Sequence, residues 1–302
     1  VSDENGVMVR EIKPDNSRRW GGETLYRPVG QAPVNVSVTT TNGVTSVVTN
    51  TVASAMTSQI SSLNAVAAES VSAMPSAALA TASTETTVDI LINYDTDAAA
   101  WARSNGGGLQ SFAETQVQKM NTALANTGLT SYFRFRLVGV YEVGGSAGGN
   151  IKNALYFASG YYSGIFNGVS WDGVEEERDR VGADIVCTLC DNGSEYGTVG
   201  IGWALMSNSN SASCGFNACQ IQSVANSHTM THEVGHNMGA GHGDKMSSDL
   251  SPGPQYYTYS SGYYFTASGT KYHTIMAYNA DGYGNYYTEV PYFSSPDYSY
   301  NG

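Results

Sequence analysis

Three of the chain's five histidines fall in one stretch of eleven residues, His232-Glu233-Val234-Gly235-His236-Asn237-Met238-Gly239-Ala240-Gly241-His242. The spacing H-E-x-x-H sets His232 and His236 about one turn apart on one helix face, so both imidazoles can reach a single ion. Glu233 points to a different side of that helix, where it can hold a water on the ion. Gly239 lets the backbone leave the helix in a left-handed conformation closed to most residues. The turn then carries His242 back to the same point. Three neutral nitrogens with one open position describe a catalytic zinc site, because a structural zinc normally has four protein ligands. The pattern therefore demands a helix, a tight turn and an open cleft around residues 232–242.

The bulk properties allow such a domain. The chain has 302 residues and is 41% hydrophobic, enough for one large domain or two smaller ones. Charged residues make up only 13%, while Gly (34) and Tyr (21) are abundant, which fits a secreted, loop-rich protein. The net charge of −12 argues against a nucleic-acid partner, since phosphate binding needs clustered Lys and Arg. No apolar run approaches the roughly 18 residues of a membrane span. The four cysteines, Cys187, Cys190, Cys214 and Cys219, are expected to form two disulfides, with three pairings open. The rival reading is a second zinc site on the C-x-x-C of Cys187 and Cys190, but the region carries no extra histidine.

Along the chain, residues 1–85 contain no His or Cys and read as a propeptide remnant, linker or accessory segment; residues 86–302 read as the catalytic domain. Val7 to Asp15 suggests a strand and a turn. Asn42-Gly43 sits as a hairpin turn between β-branched runs. Residues 52–85, rich in Ala, Ser and Thr, fit a weak helix or an extended linker. The Ile90-Leu91-Ile92 run starting from Val88 is typical of an interior strand. Leu109, Phe112, Ala113, Val117, Met120 and Leu124 recur at helix spacing and stop before Gly128. Tyr132 to Val138 alternates like a half-buried strand, and Val181 to Cys187 reads as a third strand. Helix between strands implies right-handed crossovers and a largely parallel sheet. Tyr196 to Leu205 reads as a Gly-rich edge strand whose backbone is left free, with Gly200, Ile201, Gly202, Trp203 and Ala204 positioned to hold an extended peptide by β-augmentation. Residues 206–222 read as polar loop, and the zinc helix as Ser227 to Met238.

The extended histidine pattern is similar to that of the metzincin metallopeptidases. Thr274-Ile275-Met276-Ala277-Tyr278 lies downstream of the third histidine, where that clan has its Met-turn. Asp179 to Val186 and Pro291 to Asp297 resemble, more loosely, the bacterial secreted reprolysin-like and peptidyl-Asp endopeptidase groups. The resemblance covers about residues 86–302. It implies an α/β (α+β) catalytic domain with a twisted, mostly parallel sheet and an antiparallel edge strand over the cleft. It also implies Met276 as an apolar floor beneath the zinc, Tyr278 as a fifth ligand or oxyanion donor, and a C-terminal part walling the pocket for the side chain after the cut bond. Two departures stand out. Gly243, not Asp, follows the third histidine, and no cysteine in the N-terminal region could latch onto zinc. If that region inhibits the enzyme, a carboxylate such as Asp3, Asp15 or Glu23 is the candidate blocker, and spacing selects none of them.

The expected activity is zinc-dependent hydrolysis of peptide bonds by a secreted, monomeric endopeptidase. His232, His236 and His242 hold the metal, Glu233 acts as general base, and the substrate is an extended protein or peptide. A latent proenzyme is one expected state of the chain. The competing reading is a metal-containing adhesion or peptide/glycan-binding module without turnover. Calcium lacks support, because no D-x-D-x-D-G loop occurs. His228 and His273 are expected to be structural or rim histidines.

Overall fold

A computed structural model describes the backbone of residues 22–25, 37–41 and 44–48, and residues 86–191, 198–206, 212–243, 245–247, 253–297 and 300. The expected strand at Val7 to Asp15 and the stretch 52–85 lie outside these, as do the Asn42-Gly43 turn residues, Asp3 and Asp15. The chain divides into two units, one of residues 33–84 and one of residues 1–32 with 85–302. In the smaller unit, strands β2 (Ser37–Thr41) and β3 (Val44–Val48) pair antiparallel with Thr41 opposite Val44.

The larger unit is built on a six-stranded sheet. Its strands in chain order are β1 (Gly22–Leu25), β4 (Thr86–Tyr94), β5 (Phe133–Glu142), β8 (Ile185–Cys190), β9 (Gly200–Trp203) and β10 (Phe216–Gln220). Between β5 and β8 lies the short hairpin of β6 (Ile165–Phe166) and β7 (Val169–Ser170). The spatial order of the large sheet is β1-β9-β10-β8-β4-β5. β4, β5, β8 and β10 run parallel, while β9 runs antiparallel to β10. β4 and β8 are central and covered on both faces, which is why Ile90–Tyr94 and all six residues of β8 are buried without alternation.

Helices α1 (Thr96–Asn105) and α2 (Leu109–Asn126) cover one face of this sheet. On the other face lie α3 (Ile151–Ala158) and the Trp171 and Val174 side chains at the start of α4 (Gly173–Val181). The first face is completed by α5 (Ile221–Asn226) and α6 (Thr229–Asn237). Among the described residues, no helix is long and apolar enough to cross a membrane.

Three elements differ from the sequence reading. The α1 helix is not marked in the sequence, because its buried face is made of Ala98, Ala99 and Ala102, too small to stand out as an apolar stripe. Its start is fixed by Asp95, whose buried carboxylate accepts from Ala98 N at 2.7 Å and Ala147 N at 2.9 Å. The third strand begins at Ile185, not Val181, because α4 continues to Val181 and stops on left-handed Gly182 (φ 70). Residues 216–220, expected as loop, form β10, buried because they sit between β8 and β9.

The disulfide expectation is corrected. Cys187, Cys190, Cys214 and Cys219 are all free, buried thiols. Strand alternation explains why the C-x-x-C pair cannot close: Cys187 packs in the core on the α1/α2 side with Cys219, while Cys190 packs on the opposite side with Cys214. Burial raises the Cys187 thiol pKa to about 12, which keeps it protonated and inert.

Beyond the sheet, the chain forms β11 (Gly241–Gly243), β12 (Ser261–Gly262), β13 (Tyr264–Ala267), β14 (Thr270–His273) and β15 (Thr288–Glu289). The Phe-Ser-Ser-Pro region is tied back to the end of α2. Phe293 N donates to Thr127 Oγ1 at 2.9 Å, and Asn126 Nδ2 donates to Pro291 O at 2.9 Å.

Candidate metal centre

Helix α6 spans Thr229–Asn237, slightly inside the expected limits, and every one of its residues is buried. Its C-terminal end is locked by Asn237. The Asn237 amide nitrogen lies 2.9 Å from each of Trp203 O, Cys214 O and Phe216 O, and its oxygen accepts from Asn217 Nδ2 at 2.8 Å. One side chain thus joins the zinc helix to β9 and β10. Gly239 then adopts φ 95, as expected for the turn, and the chain returns through β11.

This geometry brings His232, His236 and His242 together, with their candidate ligand atoms all within 4.8 Å of one another. All three are buried. His232 Nδ1 lies 2.7 Å from Ile275 O, and His236 Nδ1 lies 2.7 Å from Ala240 O. A carbonyl can only accept, so each Nδ1 carries the hydrogen and each Nε2 presents a lone pair. Those two Nε2 atoms are 3.1 Å apart. Two facing lone pairs at that distance repel unless a cation lies against both, so the site is built for one. An all-imidazole, buried donor set suits zinc.

Burial also removes the competing proton. Desolvation pushes the His232 pKa down to about 4 and the His236 pKa well below its ordinary value. In the unfolded chain such imidazoles take a proton near pH 6.5. Between about pH 6.5 and 4 the unfolded chain binds more protons, so the metal-free protein should lose stability as pH falls. The slope is up to about 1.4 kcal/mol per pH unit for each such imidazole. Denaturant melts of chelator-treated protein at about pH 7 and about pH 5 measure this; equal stabilities would contradict it.

The Met-turn closes the centre from below. Met276 is buried, and its sulfur lies against the backbone of Gly235, where a Cβ would collide with it. Gly235 in the histidine motif and Met276 forty-one residues on are thus one packing contact. Tyr278 OH lies 3.0 Å from His242 Nε2. Its ring sits 4.5 Å from that imidazole, and Tyr264 OH donates to its backbone oxygen at 2.8 Å.

Glu233 is fully buried between α6 and β9. A Cβ on Gly200 would lie 2.5 Å from Glu233 Oε1, and one on Gly202 would lie 3.2 Å from Glu233 Oε2. The glycines of β9 are therefore the space in which this carboxylate fits. β9 is not the open edge that the sequence reading expected. Its inner side pairs with β10, and its outer side pairs in parallel with β1, Gly22 opposite Gly200 through Leu25 opposite Trp203. Trp203 and Ala204 are buried.

Sequence reasoning missed four contributors. The carbonyls of Ile275 and Ala240 orient the ligand rings, and a backbone atom leaves no sequence signal. Asn237 and Glu289 carried no motif of their own. Glu289 Oε1 lies 2.7 Å from His228 Nδ1 at the start of α6. His273 is buried, with Nδ1 3.0 Å from Thr274 O, which gives it the structural place expected.

A mostly parallel sheet backing a three-histidine helix and turn, with a methionine turn beneath, defines a metzincin-like metallopeptidase. The chain matches the Reprolysin_5 family model, metallo-peptidase family M12, over residues 84–294, and it belongs to that family. Peptidases of this family are zinc-dependent. None of the curated proteins matches it. Among solved structures, a chain in "Structure of a chaperone-substrate complex" is 20% identical at TM-score 0.45, with 70% of this chain and 29% of that one covered. Metalloproteinase-II from Bacteroides fragilis is 19% identical at TM-score 0.37, with 59% of this chain and 48% of that one covered. The chain thus spans less than half the length of either.

Proposed function

We propose that the chain is a secreted zinc endopeptidase, held latent by its own N-terminal region, that cuts extended peptides with Glu233 as general base. The observation that carries this reading is a buried carboxylate on the same helix turn as two inward-facing imidazoles. Bound by His232, His236 and His242, zinc would supply Lewis acidity toward the peptide carbonyl and the attacking water. Glu233 takes a proton from that water as it attacks and hands it to the leaving amine nitrogen, so the C–N bond breaks without a free base in solution. Tyr278 OH, beside His242, donates a hydrogen bond to the oxygen where negative charge develops. The outer edge of β9 pairs with the substrate backbone. One chain supplies every one of these groups, so a monomer suffices.

Latency is supported by the pairing of β1 along that outer edge, because a peptide and Gly22–Leu25 cannot occupy the same backbone hydrogen bonds. Export is supported by the sparse charge and the abundant Gly and Tyr; the free thiols withdraw the disulfide argument for it. Zinc-loaded protein is expected to cleave casein or gelatin. Phenanthroline should abolish the cleavage and added zinc restore it, with activity rising as a new N-terminus appears between residues 75 and 88. A processed, zinc-bound chain without cleavage would favour the metal-containing binding module instead.

A further inference from the structure

Beside His232 and Glu233 a cavity opens whose lining includes His228, His273, Ile275, Ala277, Tyr278 and Glu289. From this cavity we infer that the enzyme selects Lys or Arg as the residue immediately after the cut bond, with Glu289 as the selecting group. The inference rests on the peptidase reading above.

Position comes first. Glu233 must reach the leaving nitrogen to protonate it, so the residue carrying that nitrogen lies on the Glu233 side of the scissile bond. The cavity has both Glu233 and Tyr278 among its walls. The side chain on the leaving nitrogen is therefore the one that enters.

Charge comes second. Of the groups lining the cavity, two are carboxylates, Glu233 and Glu289, and none is Lys or Arg. Glu289 Oε1 is taken by His228 Nδ1 at 2.7 Å. Its other oxygen has no hydrogen-bond partner among the described residues, and the side chain, which lines the cavity, keeps 30% of its exposure. The contact with His228 helps hold this carboxyl below its usual pKa against the opposing effect of burial. Glu289 also acts on buried His232 and on Lys119, whose ammonium is held by Val224 O and Ser227 O, each at 2.8 Å. His273 is held below its ordinary pKa by burial and brings no charge at neutral pH.

An apolar side chain entering here would strip water from an ionised oxygen and give nothing in return. An acidic one would meet two like charges. A lysine or arginine brings the missing donor together with the opposite charge, while its methylene stem lies along Ile275 and Ala277.

The test is cleavage of a randomised peptide library by the zinc-loaded full chain, incubated until the new N-terminus between residues 75 and 88 has appeared, with the cut sites read by mass spectrometry. Lys and Arg should lead the position after the cut by about tenfold in kcat/KM over Leu or Asp. Glu289→Gln, which keeps an acceptor for His228, should bring that ratio to within about threefold, and Glu289→Lys should shift it toward Asp and Glu. Zinc content and melting temperature check that each variant is folded, and the wild-type cut sites decide the matter even if neither variant folds. Cuts that precede Leu, Phe or Asp as readily as Lys overturn this inference alone. No cut anywhere overturns the peptidase reading, and this inference with it.

Discussion

Glu233→Gln is expected to abolish turnover while the protein still binds one zinc per chain. The amide is nearly the same size as the carboxylate, and Glu233 is not among the three converging histidines, so the donor set is untouched. What is lost is the ability to take a proton from water and return it to the amine. General acid–base groups contribute about 10²–10⁴-fold, and in the proposed mechanism one carboxylate serves in both directions. A fall of at least about 10³-fold in kcat/KM is expected, with zinc measured by mass spectrometry on the same sample. Turnover within about tenfold of wild type would remove Glu233 from the proposed role.

Gly200→Ala should be nearly as damaging, from a position that has no reactive group. The new methyl would lie 2.5 Å from Glu233 Oε1, 2.9 Å from Glu233 Cγ and 2.8 Å from Thr229 Cγ2. Something must move, and the carboxylate is the softest part. A displacement near 1 Å at a reacting group can cost about 10²-fold. The expected result is a kcat lowered by about that factor, zinc content unchanged, and KM altered less than kcat. The strand itself should not suffer, because alanine is better tolerated in a strand than glycine. A variant with wild-type kcat would mean that the glycine is there only for backbone pairing, as the sequence reading supposed. Gly202→Ala, with 3.2 Å to Glu233 Oε2 and to Glu233 O, should cost less than Gly200→Ala.

These two residues mark where sequence reasoning stopped. The spacing of His232, His236 and His242 was legible because three ligands held by one helix turn and one left-handed glycine are a local matter. The strand at Ile90 and the helix from Leu109 were legible for the same reason, since apolar periodicity is written within a dozen residues. The α1 helix lacked that periodicity, and its cap, Asp95, is held in place partly by Ala147, fifty-two residues away. The cysteines misled because a count and a compartment argument say nothing about which face of a strand each thiol occupies. The glycines of β9 were noticed, but what they make room for was not, because the atom that excludes a side chain there belongs to Glu233, on another element.

By itself, then, and apart from the methionine turn, which only the family resemblance implied, the sequence determined the metal-binding histidines, the carboxylate beside them and a largely parallel sheet. Each of these is set by short-range spacing or by side-chain alternation. Only the tertiary structure decided which carbonyls aim the imidazoles, what the glycines at 200 and 202 make room for, that the four thiols form no disulfide, and that Glu289 lines the cavity beside the metal centre. Those depend on atoms that meet across the fold, and a contact between distant segments leaves no pattern in the order of residues along one chain.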